Sequence, residues 1–146
     1  MVFPYGYIDA FAGLSLNTST ILPVRCRLRS PSTARVVTLA DGRAFNAGAP
    51  ALSGVWPVEQ VLGVIIRGTT PGGGVTVDTL LQSIGAKVAQ EGTLRVRVPG
   101  GARTYSAPAV FDYIEFDAEG RMDDDTVANW SILALHFSQL DDWTVN

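Results

Sequence analysis

Few residues in this chain are equipped for chemistry, and their spacing limits what they can do. Carboxylates are densest in DAEGRMDDD (117–125), a concentration that raises the question of Ca²⁺. A calcium loop needs the order Asp-x-Asp-x-Asp-Gly and a Glu at its twelfth position to surround the ion with oxygens. Neither is present, so a solvated acidic loop is expected. Asp112 and Glu115 lie in an alternating segment, AVFDYIEF (109–116). Three apart on a strand, they are expected on opposite faces, which denies them the shared bond that paired glycosidase carboxylates flank. The single histidine, His136, falls on the face of Trp130, Ile132 and Ala134, with Ser131, Leu133, Leu135 and Phe137 opposite. A general base needs a nucleophile and an orienting acid supplied from elsewhere in the fold, so a hydrogen-bonded structural histidine is expected. The glycines of TTPGGGVTVDT (69–79) precede a helix start, but Gly-Lys-Ser/Thr is missing and the dinucleotide spacing does not fit. They read as a flexible loop. No catalytic, metal-binding or cofactor-binding residue is expected.

Composition narrows the class. A chain of 146 residues suits one domain with a real core. Apolar residues make up 47% and charged ones 17%, while 15 glycines and 8 prolines punctuate many short segments, a balance that suits a β-rich, self-associating protein. One cysteine, Cys26, excludes an internal disulfide and any multi-cysteine zinc site. It reads as a small apolar side chain on a strand. No apolar run reaches membrane-spanning length, and the N-terminus lacks a basic signal-peptide start, so folding in a reducing cytoplasm is expected. The net charge of −3 has the wrong sign for a phosphate-binding surface. Its distribution is uneven. Residues 25–43 hold five arginines (25, 27, 29, 35 and 43) against one acid, whereas residues 112–142 hold nine acids against Arg121 alone. Two such faces can meet head to tail between identical neighbours.

The elements that carry these residues are mostly strands. VRCRLR (24–29) alternates, with Val24, Cys26 and Leu28 on one side and three arginines on the other. Asp41-Gly42 between two apolar runs predicts a hairpin with a type I′ turn. In WPVEQVLGVIIRG (56–68) Val58, Gln60, Leu62, Val64 and Ile66 share one face, and the other is also largely apolar, which predicts a central strand. Val77, Leu80, Leu81, Ile84 and Val88 form one apolar stripe, predicting a helix over about 76–91, capped by Thr76 and stopped by a left-handed Gly92. TLRVRV (93–98) follows with Arg95 and Arg97 outward, then a hairpin through PGGA (99–102) into RTYSA (103–107). In 109–116, Val110, Ile114 and Phe116 are expected opposite Phe111, Tyr113 and Glu115, and the last strand over about 128–140. The fold class is therefore mainly β or α+β: a split β-barrel or sandwich with one flanking helix. The chain reads as a single domain, with 1–35 an N-terminal arm and first strand and 36–146 the barrel.

The order of segments in 36–143 carries a resemblance. LADGRAFNAGAPALSG before VEQVLGVIIRG, the helix and TLRVRV, the hairpin into RTYSAPAVFDYIEF, and a final WSILALHFSQLDDW ending in Leu140-Asp141-Asp142-Trp143 resemble the N-terminal domain of the distal tail family of long-tailed bacteriophages. The related tail-tube proteins are similar more loosely. Residues 1–35 depart from that family's opening, and a small version without the galectin-like second domain of larger members is expected. The resemblance implies a non-enzymatic virion protein: a split barrel assembled as a homo-hexameric ring at the tail tip. Such a ring joins the tail tube to the hub or baseplate and leaves a lumen for the tape-measure protein and DNA. Arg25, Arg27, Arg29, Arg95 and Arg97 are the expected interface cations, and Asp123, Asp124, Asp125, Asp141 and Asp142 the expected anions. A tail-tube subunit stacking in many copies is the nearest alternative. Another is a small barrel binding a ligand on Trp56, Tyr105, Tyr113 or Trp130.

Overall fold

The computed structural model describes residues 2–29, 36–46, 53–68, 77–121 and 130–146. Its strands are β1 (Tyr7–Phe11), β2 (Leu14–Ser15), β3 (Ile21–Arg27), β4 (Val36–Thr38), β5 (Ala44–Asn46), β6 (Ser53–Arg67), β7 (Glu91–Arg97), β8 (Thr104–Arg121), β9 (Trp130–Asp141) and β10 (Thr144–Val145). One helix, α1 (Val77–Gly85), precedes β7. The main sheet is antiparallel with the order β2-β1-β7-β8-β9-β6-β3, β10 adds to β8, and β4 pairs with β5 apart from it. β1, second from one end, comes within 8 Å of β3 at the other end without a shared ladder. The sheet therefore curls around its core, and the fold is mainly β with one helix, as composition and pattern predict.

Alternation explains the core. Leu62, Val64 and Ile66 of β6, Leu94 and Val96 of β7, and Leu133, Leu135 and Phe137 of β9 are fully buried, each at every second position as the pleat requires. β6 lies between β9 and β3, the central position its two apolar faces predict. Val77 and Ile84 of α1 are buried, and Leu80, Leu81 and Val88 pack against the same cluster, so the predicted stripe is the helix's buried face.

Some expectations need correction. The helix ends at Gly85, not near residue 91. After tight turns in which the Lys87 and Val88 amides donate to the Ile84 and Gly85 carbonyls, Ala89 takes the left-handed stop at φ 67°. The Ala89 amide then donates to the Phe111 carbonyl and the Phe111 amide to that of Gln90. Sheet pairing with β8 thus captures a segment whose periodicity is helical, and Gly92, the expected stop, lies inside β7. Thr76, the expected cap, lies outside the described residues.

The Asp41-Gly42 hairpin forms between β4 and β5, but only Gly42 has positive φ. Its amide donates to the Leu39 carbonyl, giving a three-residue loop with a left-handed glycine in place of type I′. The two-residue turn with positive φ at both positions is Ala12-Gly13, at 49° and 81°, between β1 and β2.

β8 runs unbroken through Arg121, so the expected acidic loop 117–125 begins as strand. Asp123, Asp124 and Asp125 lie outside the described residues. β9 spans Trp130–Asp141. Within the segment read as an N-terminal arm, β1 is an integral strand paired with β7, and Ile8 and Phe11 are wholly buried.

Candidate functional site

Bulges determine what the outer face of the sheet presents. In β3 the register shifts between Pro23 and Arg25, so Val24 is the extra residue and stands 55% exposed instead of pointing inward with Cys26. In β8 the shift falls between Phe111 and Tyr113, with Asp112 as the extra residue. Phe111 and Ile114, expected on opposite faces, both turn to the core, the first fully buried and the second partly. Asp112 and Glu115, also expected on opposite faces, both point outward, where Asp112 accepts a hydrogen bond from Ser138 and Glu115 faces His136. A bulge shifts the alternation by one residue, and that single insertion overturns both expectations.

The outward-facing carboxylates surround the one histidine. His136 is 6% exposed, with Nε2 3.0 Å from Glu115 Oε1 and Nδ1 3.6 Å from Glu59 Oε2. Tyr113 stacks on the imidazole, the ring centroids 4.2 Å apart and the planes 13° from parallel. Desolvation against the sheet, then the negative field of Glu59, Glu115 and Asp112, raise the Tyr113 phenol above its ordinary pKa. Ser138 Oγ donates to Asp112, so serine and imidazole each bond a carboxylate and not one another. The two histidine nitrogens face carboxylates on opposite sides of the ring, which leaves no common point for an ion. No group of three His, Cys, Asp or Glu able to hold a metal occurs among the described residues. The arrangement ties β6, β9 and β8 together across the outer face.

Beside this cluster lies a trough. Its floor is the register pair Gly63 and Ala134, with Ile132 alongside. Small side chains at the paired positions leave the floor low. Val24 and Arg25 of β3 form one wall, Glu115 and Phe116 of β8 the other, and the trough encloses 590 Å³. Phe116 is 54% exposed. A second hollow of 390 Å³ continues it past Arg27 and Val61 to His136. One side of the trough is therefore cationic, the other anionic, and both are edged with exposed apolar side chains.

The expected interface residues divide by what they already touch. Arg95 and Arg97 stand outward on β7 as predicted, but both meet Asp9 of their own chain: Arg95 donates from Nε at 2.8 Å and from a terminal nitrogen at 3.0 Å, and Arg97 from Nε at 2.8 Å. Asp9 is the extra residue of a bulge in β1 and is 4% exposed. Burial pushes its carboxyl pKa up, yet the bonds and charges of the two guanidinium groups outweigh that and hold it below the ordinary value. Arg27 reaches Glu59 at 3.7 Å. Arg25 is exposed and has no carboxylate partner among the described residues. The Arg29 backbone is held from inside the barrel. Its amide donates to Gln60 Oε1, and Gln60 Nε2 donates to its carbonyl and to Gln139 Oε1, while Gln139 Nε2 donates to the Asp141 carbonyl. The carboxylates of Asp141 and Asp142 cap the next backbone amides, including that of buried Trp143. Cys26 is an inward, mostly apolar position whose thiol pKa burial pushes up, with a smaller opposing effect from a hydrogen bond to the Ile8 backbone. Of the aromatic side chains named for a ligand platform, Tyr105 is buried, Trp130 half-buried and Tyr113 stacked on His136; the Trp56 side chain lies outside what is described.

Sequence reasoning missed Asp9, Glu59 and the Gln60–Gln139 pair. The lone acid in YIDAF and a glutamine on the apolar face of VEQVLGVII were the available signals. No helix among the described residues is long and apolar enough to cross a membrane. Comparison with protein-family models, with curated proteins and with solved structures finds no match.

Proposed function

We propose that this chain is a non-enzymatic structural subunit that packs with copies of itself into a ring, as in the tails of the long-tailed bacteriophages whose distal tail proteins it resembles. In that role it joins the tail tube to the hub or baseplate and leaves a lumen for the tape-measure protein and for DNA. The observation that carries the reading is the trough on the outer face of β3, β6, β9 and β8. Its walls carry opposite charges over a floor of small apolar residues, and Val24 and Phe116 stand more than half exposed at its rims. A surface of this kind suits a complementary protein face. The flanking helix and mainly β fold accord with the same resemblance.

Light scattering on the purified protein, at low and at high salt, tests the reading. The expected result is a closed particle of about six subunits that loosens as salt screens the charged walls. Open polymers of indefinite length assign the chain to the tube instead of the tip. A particle that remains one subunit at every concentration overturns the assembly reading and leaves the trough as a ligand site, its 590 Å³ being within the usual range for one.

A further inference from the structure

We infer that Arg25 in the trough of one subunit receives the acidic C-terminal corner of a second copy, Asp141, Asp142 and the exposed Val145. The inference rests on the assembly reading above and names the contact that would build it. Three observations select this pair from the charged residues. Arg95 and Arg97 are satisfied by buried Asp9 within their own chain, and Arg27 has Glu59 beside it. Arg25 and Arg29 are both exposed without a carboxylate partner among the described residues, and of the two only Arg25 stands on the trough wall. At the far end of β9, among the described residues, the carboxylates of Asp141 and Asp142 bond backbone amides and meet no cation. Val145, on β10 just past them, is 46% exposed and supplies an apolar contact for the rim formed by Val24 and Phe116.

Position excludes pairing within one chain. Arg25 is level with Gly63, and Gly63 with Ala134, in the sheet register. Asp141 lies seven residues further along β9, about 23 Å at the rise of a strand. An unmatched cation and unmatched anions fixed that far apart on one rigid sheet can meet only between molecules. Each subunit then offers a trough at one place and a corner at another, a heterologous contact that propagates head to tail until it closes.

Charge reversal tests this directly. Arg25→Glu alters only the trough and Asp141→Lys only the corner; both positions are exposed, and circular dichroism and Tm check that each variant folds. Val145→Arg is a second corner variant should Asp141→Lys misfold. Each variant alone is expected to sediment as a single subunit where the wild type forms its particle. An equimolar mixture is expected to regain a particle of wild-type mass, because reversed trough and reversed corner attract, as do the two unreversed surfaces. Alternation of the two chains also requires an even number of subunits. Variants that assemble like wild type, or a mixture that stays dispersed, overturn this contact while the assembly reading stands. A wild-type chain that never assembles overturns both.

Discussion

Asp9 is the clearest case of a residue whose role depends on its partners and not on its neighbours in sequence. A carboxylate almost wholly removed from water is costly unless paired, and here two arginines one pleat apart on β7 converge on it. Because its folded-state pKa lies below the ordinary value near 3.8, the unfolded chain takes up the proton first as pH falls. The stabilisation is therefore complete above the unfolded pKa and is lost as pH drops through the lowered folded value. Asp9→Asn is expected to lower stability by about 2 kcal/mol near pH 6, with the deficit shrinking below about pH 4. Urea denaturation of both proteins across pH 2.5–7 checks it, and a deficit that does not change with pH would show that the charge contributes nothing. Sequence pattern places Arg95 and Arg97 outward and shows a lone acid in YIDAF, but does not pair them, because Asp9 lies 86 positions from Arg95 in the chain. Alternation likewise fails at Val24 and Asp112, because a bulge is a property of a strand pair and is invisible in either strand alone.

At the scale of elements, the same contrast separates what periodicity reveals from what packing imposes. The stripe of α1 and the two apolar faces of β6 are legible because burial acts on each residue separately. The helix end is not, because Ala89 and Gln90 find hydrogen bonds on β8. Nor is the turn at Ala12-Gly13, where an alanine occupies a left-handed conformation that costs about 1 kcal/mol or more. Tertiary contacts hold it there: the Ala12 amide donates to the Thr93 carbonyl at 3.0 Å, and Lys87 Nζ donates to the Ala12 carbonyl at 3.2 Å. The turn also needs Gly92 opposite, since a Cβ on that residue would lie 2.6 Å from Ala12 Cβ and 3.2 Å from Ala12 Cα. Gly92→Ala is accordingly expected to cost about 2 kcal/mol, the range for overpacking against a site that cannot yield. Adding Ala12→Gly removes the closest clashing atom and suits the positive φ, so the double variant should recover part of the loss. A double-mutant cycle in denaturant reads this coupling, and strictly additive losses would place the strain elsewhere.

For the whole molecule, the question is what holds a sheet whose ends do not share a ladder. The interior answers it with aromatic rings from β1, β8 and β9, which bridge β7 across the inside of the curl. Phe11 of β1 meets Phe111 of β8 edge-on at 5.8 Å and Phe137 of β9 at 5.2 Å, and the latter two lie 4.7 Å apart. β1 contributes both this ring and Ile8, each with no exposed surface. The segment read as an N-terminal arm and first strand therefore contributes to the core of the barrel, a role five residues of strand cannot announce by themselves. Phe11→Ala is expected to cost about 3–5 kcal/mol, a large fraction of the roughly 5–15 kcal/mol that keeps a domain of this size folded. In urea the midpoint should fall with the slope unchanged, since the same surface is exposed on unfolding. If β1 were only an arm resting on a finished barrel, the same substitution would move the midpoint by less than about 0.5 kcal/mol equivalent, the range for surface positions. The trough is lined from β3, β6, β8 and β9, with no residue of β1 in its lining, so a Phe11→Ala chain kept below its lowered midpoint should still assemble, separating the residues that fold this molecule from those that join it to the next.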